Sequence, residues 1–260
     1  MEPVAADYEA FKRKLKGTIG LDLNYYKQQQ MQRRINQWLQ RVGAASYDEY
    51  IKMLQIDPEE RERFTGYLTI NTSQFYRDVS VFKEIEDKVL PNLVQRFRRL
   101  RVWSAGCSTG PEIYTIAMLL EELTPGVRHA LLGTDFDVEA LEQAREAVYS
   151  ENLLNSLPAK YRKKYFTQEG RMWRLSELIR DRVRFKRHNL LEDPFETGFH
   201  LILCRNVFIY FTPEAQARLT KQFSDSLVSG GYFVVGNAEN LLEPEMADLK
   251  RVSYCIYQRV

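Results

Sequence analysis

The sequence predicts an α/β fold: a doubly wound, mainly parallel sheet with a small antiparallel β insert, preceded by an all-α N-terminal domain. Three observations lead there. From Leu100 onward, apolar runs of strand length alternate with stretches of helical spacing, the pattern of a parallel sheet covered by crossover helices. At residues 102–112, VWSAGCSTGPE, an apolar run meets a glycine turn and then a helix start, as the first βα unit of such a sheet begins. Residues 7 to 78 carry the helical apolar period instead. A helical domain at 1–78, a linker helix at 79–98 and an α/β domain at 99–260 follow.

Tyr8, Phe11 and Leu15 recur at helical spacing, and Gly17 and Gly20 break the run. A second helix over Asn24 to Val42 has its apolar stripe at Met31, Ile35, Trp38, Leu39 and Val42. Its flank carries Lys27, Arg34 and Arg41 at seven-residue intervals, and no acid lies between Asp22 and Asp48. Gly43 closes this helix, Ser46 caps the next with Glu49 as a capping box, and a fourth runs from Pro58 toward Tyr67. The linker helix buries Val81, Phe82, Ile85, Val89 and Leu93, and Pro91 kinks or divides it. Strands follow at Val102-Trp103, at His129 to Asp135, at Phe199 to Cys204 and at Gly231 to Val235, the last entered through a turn at Ser229-Gly230. Helices fill 137 to 149 and Pro213 to Leu227. Tyr254 to Gln258 closes the sheet antiparallel, because too few residues precede it for a helical crossover.

Composition bounds the function. With 260 residues, 44% of them hydrophobic and 28% charged, the chain can bury a full core plus a smaller domain. No apolar run approaches the ~20 residues of a membrane span. The opening MEPVAADYEAF has neither a basic start nor an apolar core, so no signal peptide is expected. Cys107, Cys204 and Cys255 lie far apart without paired spacing, which argues against a disulfide framework or a zinc site. A cytoplasmic, metal-free protein with free thiols is expected.

The glycine loop carries the chemistry. Glycines let a backbone approach a ligand that a Cβ would block, and Asp135, 25 residues beyond Gly110, stands at a strand tip where a carboxylate accepts two ribose hydroxyls. Glu112 at the helix start would repel a diphosphate where a dinucleotide places it. A nucleoside with a cationic centre fits better, and S-adenosylmethionine has one. From the pattern alone two alternatives stay open: a turn without a ligand, and the G-x-S-x-G elbow of a serine hydrolase centred on Ser108. Residues 160 to 187 hold eleven Lys or Arg against three acids, with Tyr161, Tyr165, Phe166, Trp173 and Phe185 interspersed. Short β-like runs at 171 to 175 and 183 to 187 suggest an antiparallel insert. Basic with aromatic residues is also how a nucleic-acid surface looks, so a nucleic-acid methyltransferase is a further alternative.

Three more segments carry a resemblance: Asn71-Thr72-Ser73-Gln74-Phe75-Tyr76-Arg77, His188-Asn189-Leu190-Leu191 and Arg205-Asn206-Val207-Phe208-Ile209-Tyr210-Phe211. With the glycine loop, over nearly the whole chain, they resemble the chemoreceptor glutamate methyltransferases of bacterial chemotaxis, the CheR-type family. The resemblance implies a Rossmann-like S-adenosylmethionine-dependent methyltransferase domain with a β subdomain at about 155–187. It implies that Asn71, Ser73, Arg77, Glu112, Asp135, Asn189, Leu190, Arg205 and Asn206 bind the cofactor. Glu112 would meet its amino-acid end, Asp135 its ribose, Asn189 and Leu190 its adenine, while Arg205 and Asn206 close the pocket. Arg77 and Tyr210 would steer the acceptor carboxylate. Two departures stand out: Pro111 replaces the first of two acids after the loop, and Asn237-Ala238-Glu239 stands where the family has His-Ser-Glu.

The acceptor so implied is a glutamate on the cytoplasmic helical bundle of a chemoreceptor. A carboxylate is already ionised at pH 7, so its methylation needs no general base. The flank of Lys27, Arg34 and Arg41 suits docking along an acidic bundle. Some family members grip a tethering peptide at the receptor C-terminus with a glycine-rich hairpin. Between Phe166 and Val183 this chain has only Gly170, so independence of that peptide is expected. A monomer recruited from the cytoplasm to membrane-bound receptor arrays, without nucleic-acid contact, completes the expectation.

Overall fold

The computed structural model describes residues 5–260, which form two compact units. One holds the chain up to Asn71 together with Tyr210–Gln216. The other holds Thr72–Ile209 and Ala217–Val260.

The first unit contains α1 (Ala5–Ile19), α2 (Gln28–Val42), α3 (Tyr47–Ile56) and α4 (Pro58–Thr69). Local chemistry sets their ends. Gly17 stays inside α1, and Gly20, at φ 75°, follows its end. Gly43 closes α2 in the left-handed region that only glycine enters at little cost. Ser46 Oγ accepts the Glu49 N–H at 3.2 Å, while Glu49 reaches back to the Ala45 N–H at 2.7 Å, one residue before the expected capping-box partner. Asp57 accepts the N–H groups of Glu59 and Glu60, with Pro58 in the first turn. The apolar stripes meet in an aromatic core: the Tyr8, Phe11 and Tyr47 rings cluster, and Phe64 packs on Trp38 and edge-on to Tyr50. Buried Glu60 is held by the Trp38 Nε1–H (2.9 Å), the Tyr50 hydroxyl (2.7 Å) and Arg63 (3.0 Å). Tyr210–Gln216 is stitched to this unit by two bonds, Lys27 N–H to Tyr210 O and Thr212 N–H to Tyr25 O, both 2.9 Å.

The second unit begins with α5 (Val79–Glu84) and α6 (Leu90–Arg96), joined through a π turn at Ile85–Val89. Pro91 explains the turn: its ring collides with the carbonyl one turn back and it has no N–H to donate, so the helix widens before it. The main sheet takes β1 (Arg101–Ala105), β2 (Ala130–Asp135), β6 (Val183–Arg187), β7 (Phe199–Cys204), β8 (Leu227–Val235), β9 (Leu249–Arg251) and β10 (Ile256–Arg259). Their order is β6-β2-β1-β7-β8-β10-β9; the first five are parallel, and β10 and β9 are antiparallel to their neighbours. Helices α7 (Pro111–Leu123), α8 (Val138–Glu146) and α11 (Pro213–Ser226) lie between strands. The chain winds outward from β1 to β6 and then returns to β7. The switch point therefore falls between β1 and β7, where open α/β sheets bind ligands at the carboxyl ends of their strands. Trp103 centres the core there, against Phe195, Phe199 and Phe223, with its Nε1–H on Thr134 Oγ1 at 2.8 Å.

A separate sheet, β3 (Val148–Ser150), β5 (Met172–Leu175) and β4 (Phe166–Glu169), forms the insert with α9 (Ala159–Tyr165) and α10 (Glu177–Arg180). Four expectations need correction. The run at 183 to 187 is not part of the insert, because it pairs in parallel with β2 as β6. The insert instead takes its third strand from residues 148–150, before the expected boundary. Gly230 does not precede β8 but sits within it at φ 73°, where the register against β7 shifts. The boundary between the units falls after Asn71, ahead of residue 78. Phe75 is buried edge-on to Tyr149 and Phe166, and the Phe75 N–H donates to Leu153 O at 3.0 Å, which draws this segment into the second unit.

Candidate active site

The glycine loop is folded by its own backbone. Gly106 (φ 75°), Ser108 (φ 52°) and Gly110 (φ 90°) all take left-handed conformations, and Pro111 then opens α7. The N–H groups of Gly106 and Cys107 donate to Thr134 O at 2.8 and 2.9 Å, tying the loop to the end of β2. Asp135 completes the tie: Oδ2 accepts the Ser108 N–H at 2.7 Å and Oδ1 the Asp137 N–H at 3.0 Å. Asp135 is 8% exposed, and burial pushes its carboxyl above the ordinary 3.8, against the lowering pull of the Asp137 and Ser108 N–H groups. The His188 N–H donates to Asp135 O at 2.9 Å, which brings His188-Asn189-Leu190 alongside. Asn189 and Leu190 are buried, and the Asn189 amide oxygen accepts the Leu191 N–H at 3.0 Å in a local turn.

A charge network lies across the switch point. Glu112 Oε1 accepts the Ser104 hydroxyl at 2.7 Å and Oε2 accepts Arg205 Nη1 at 3.1 Å. Arg205 Nη2 donates to Asp78 Oδ2 at 2.6 Å and to the Arg77 carbonyl at 3.0 Å. Arg205 is buried over the Phe82 ring. Glu112 and Arg205 were each expected to face a ligand, and the structure pairs them with each other. Asp78 joins them as the second carboxylate on Arg205. Arg77 Nη1 donates to Thr72 O at 2.9 Å, and Arg77 with Thr72, Ser73, Gln74, Asn152 and Leu153 lines an open groove of about 330 Å³.

The remaining expected residues divide between the units. Asn206, at φ 62°, follows Arg205 in the second. Asn71 and Tyr210 belong to the first, where Asn71 Nδ2 donates to Thr69 Oγ1 at 3.3 Å. On α2, Arg34 donates to the Tyr67 carbonyl and stacks on the Tyr67 ring, so part of its charge serves the helical core. Arg41 lies over Trp38 yet stays exposed, as does Lys27.

The donor set can be tested against S-adenosylmethionine. Each Asp135 oxygen uses one lone pair on a backbone N–H and keeps another for a ribose hydroxyl. Ser108 Oγ is buried with no partner among the described residues, an orphan that a polar ligand atom satisfies. Two carboxylates, Glu112 and Asp78, face one guanidinium, and the surplus negative charge suits an ammonium or sulfonium and opposes a phosphate. The residues fit this cofactor. Among the described residues no group of three or more His, Cys, Asp or Glu is placed to hold a metal ion.

Comparison with known proteins decides the family. The model for the SAM-binding domain of CheR methyltransferases matches residues 71–255, and that for their all-alpha domain matches residues 6–69. This chain belongs to the CheR methyltransferase family. It is 38% identical over 240 residues to a chemotaxis protein methyltransferase of Listeria monocytogenes, covering 92% of this chain and 91% of that one. It is 31% identical to chemotaxis protein methyltransferase 1 of Pseudomonas aeruginosa (93% and 92% covered) and 30% to a chemotaxis protein methyltransferase of Borreliella burgdorferi (86% and 84%). The chain is thus an S-adenosylmethionine-dependent methyltransferase with a Rossmann-like domain, a small β insert and an all-α N-terminal domain.

The serine-hydrolase and nucleic-acid readings lose their footing. A serine hydrolase needs a base on Ser108, and its Oγ meets none. The His129 and His200 rings instead accept the Leu100 and Arg101 N–H groups at 3.0 and 2.9 Å, and His188 is buried against Trp103 and Phe195. Six of the eleven basic residues of 160–187 are engaged in ion pairs: Lys160 with Glu86, Arg162 with Glu151, Lys164 with Glu122, Arg174 with Glu169, Arg180 with Asp181 and Arg182 with Glu121. Tyr161, Tyr165 and Phe166 are buried and offer no stacking face. Sequence reasoning gave no role to Asp78, Ser104 or Glu239. Glu239 had a signal, as the acid retained from the family's His-Ser-Glu run.

Proposed function

We propose that this methyltransferase esterifies the γ-carboxylate of glutamates on the cytoplasmic helical bundle of chemoreceptors, as a step in sensory adaptation. When bound, S-adenosylmethionine supplies a methyl group on a sulfonium, which passes to a carboxylate oxygen and leaves S-adenosylhomocysteine. The observation that carries the reading is the charge arrangement: buried Asp135 under the glycine loop, and Glu112 with Asp78 against the single guanidinium of Arg205. Asp135 holds the ribose, Glu112 receives the ammonium, and Arg205 keeps Glu112 in place.

The chain's part is to bind, orient and exclude water. The acceptor carboxylate attacks ionised, so no proton has to be removed. Alignment of oxygen and methyl supplies several kcal/mol. Ser73 and Asn206 contact the cofactor, as does Asn71, while Asn189 and Leu190 flank its adenine. Arg77 and Tyr210 steer the acceptor carboxylate, Arg77 as a guide and not a tight clamp, since a strong grip on the nucleophile would favour the ground state.

Docking uses the exposed charge of Lys27 and Arg41, with Arg34 contributing less because Tyr67 engages it. β4 and β5 are joined at Glu169-Gly170-Arg171-Met172, which supports docking without a tethering peptide. No helix of the described residues is long and apolar enough to cross a membrane. We place the chain in the cytoplasm as a monomer, recruited to receptor arrays by its substrate. The test is incubation with S-adenosylmethionine and receptor cytoplasmic fragments, with and without their C-terminal tails, followed by mass spectrometry. Methyl groups on glutamates of both fragments support the proposal. Methylation elsewhere overturns the substrate, and methylation only of tailed fragments overturns tether independence.

A further inference from the structure

Glu239, 4% exposed, follows β8 and gathers backbone donors from two separate segments. Its Oε2 accepts the Gly236 N–H at 2.6 Å and the Asn206 N–H at 2.8 Å, and its Oε1 accepts the Ile209 N–H at 3.3 Å. A carboxylate on three backbone N–H groups fixes the path of the chain that carries them. Here that chain is the segment after β7, where Asn206 is held at φ 62°.

The segment touches the candidate site at two points. Arg205, one residue before the clamped N–H, spans Glu112, Asp78 and the Arg77 carbonyl. Val207, one residue after it, packs against the glycine loop so closely that a Cβ on Gly106 would stand 2.7 Å from Val207 Cγ2. A shift of the Asn206 amide would therefore move the guanidinium from one side and the wall of the glycine loop from the other.

We infer that Glu239 is a positioning residue for the cofactor site, acting through the turn at Arg205-Asn206-Val207 on Glu112 and the glycine loop. The inference rests on the cofactor site proposed above. A shifted turn would leave Glu112 misplaced for an ammonium and the loop open, so the loss falls on cofactor affinity while acceptor docking is spared.

Two variants test it by different routes. Glu239→Gln keeps the shape but turns one carboxylate oxygen into an NH2 group facing N–H donors. Gly236→Ala keeps the charge, but its Cβ would lie 2.6 Å from Glu239 Oε2 and 2.8 Å from the Asn206 nitrogen, which displaces the clamp. Calorimetry should show the Kd for S-adenosylmethionine raised at least about tenfold in each folded variant. The KM for receptor fragments, measured at saturating cofactor, should stay within about twofold of wild type. A wild-type Kd in either folded variant overturns the inference. Failure of both to fold also overturns it, because the carboxylate then serves the fold and not the site. Wild-type protein that binds no cofactor would instead bring down the cofactor site itself.

Discussion

Arg205 Nη1 stands 3.1 Å from Glu112 Oε2, although 93 residues separate the two in the chain. The pair joins the end of β7 to the start of α7 across the switch point, and through Asp78 it reaches the start of α5. Each side chain was expected to face a ligand alone. Together they form a negatively biased bracket whose guanidinium is internal and whose spare carboxylate capacity is left for a cation.

Removing the guanidinium should therefore cost more than removing a surface charge. Arg205→Ala leaves Glu112 and Asp78 without their shared partner in a largely buried place, which costs about 3 kcal/mol or more. Urea denaturation of the purified variant should show that loss as a lower midpoint. Stability within about 0.5 kcal/mol of wild type would mean that the bracket is not an energetic unit.

Asp135 predicts a pH dependence. Burial raises its carboxyl above the ordinary 3.8, so the folded chain takes up a proton there earlier on acidification than an ordinary aspartate would. That proton relieves the apoprotein of a buried charge, so Asp135 contributes no loss of apoprotein stability as pH falls through its raised value. Cofactor binding needs the ionised form and moves the other way, and affinity should decline as the pH falls from neutral through that raised value. Asp135→Ala removes charge-assisted bonds worth about 1.5–3 kcal/mol each, so its affinity at neutral pH should be at least about tenfold lower. Its remaining affinity should show little of the acid decline. Isothermal titration across this range decides; equal affinity of wild type and variant would remove Asp135 from the site.

Arg77→Ala separates chemistry from stability. The side chain is half-buried and hydrogen-bonds the Thr72 carbonyl, so little of the core depends on it. Single-turnover methyl transfer should fall by about a hundredfold or more while the thermal midpoint moves by only a few degrees. A rate loss that merely tracks a lower midpoint would mark Arg77 as structural. Loss of cofactor affinity with a normal turnover rate would assign it to the cofactor and not to the acceptor.

Charge reversal on α2 should sort its three cations. Lys27→Glu with Arg41→Glu should raise the KM for receptor fragments and leave cofactor affinity intact, whereas the wild-type KM should itself rise as salt screens charges beyond about 8 Å. Arg34→Glu should in addition lower the thermal midpoint, since it loses the Tyr67 carbonyl and ring. An unchanged KM in the double variant would place docking elsewhere.

Much of this was legible in the residues. The apolar periods gave the helices of the first unit, and the glycine turn and Asp135 were legible as the ends of the first two strands, because local chemistry decides both. Pairings over long sequence separation were hidden. No spacing rule assigns Arg205 to Glu112 or Asp78, or brings Glu239 onto the Asn206 amide. The run at 183 to 187 read as an insert strand because its polar composition hides an edge position beside β2. Arg34 looked like its neighbours on the flank until the fold set Tyr67 beneath it.

The proposed product is a carboxyl methyl ester. Tritiated S-adenosylmethionine, this chain and receptor cytoplasmic fragments should yield label that mild alkali releases as volatile methanol, and the release should vanish when the acceptor glutamates are replaced by alanine. Label that survives alkali would place the methyl group on nitrogen or carbon and would contradict the account.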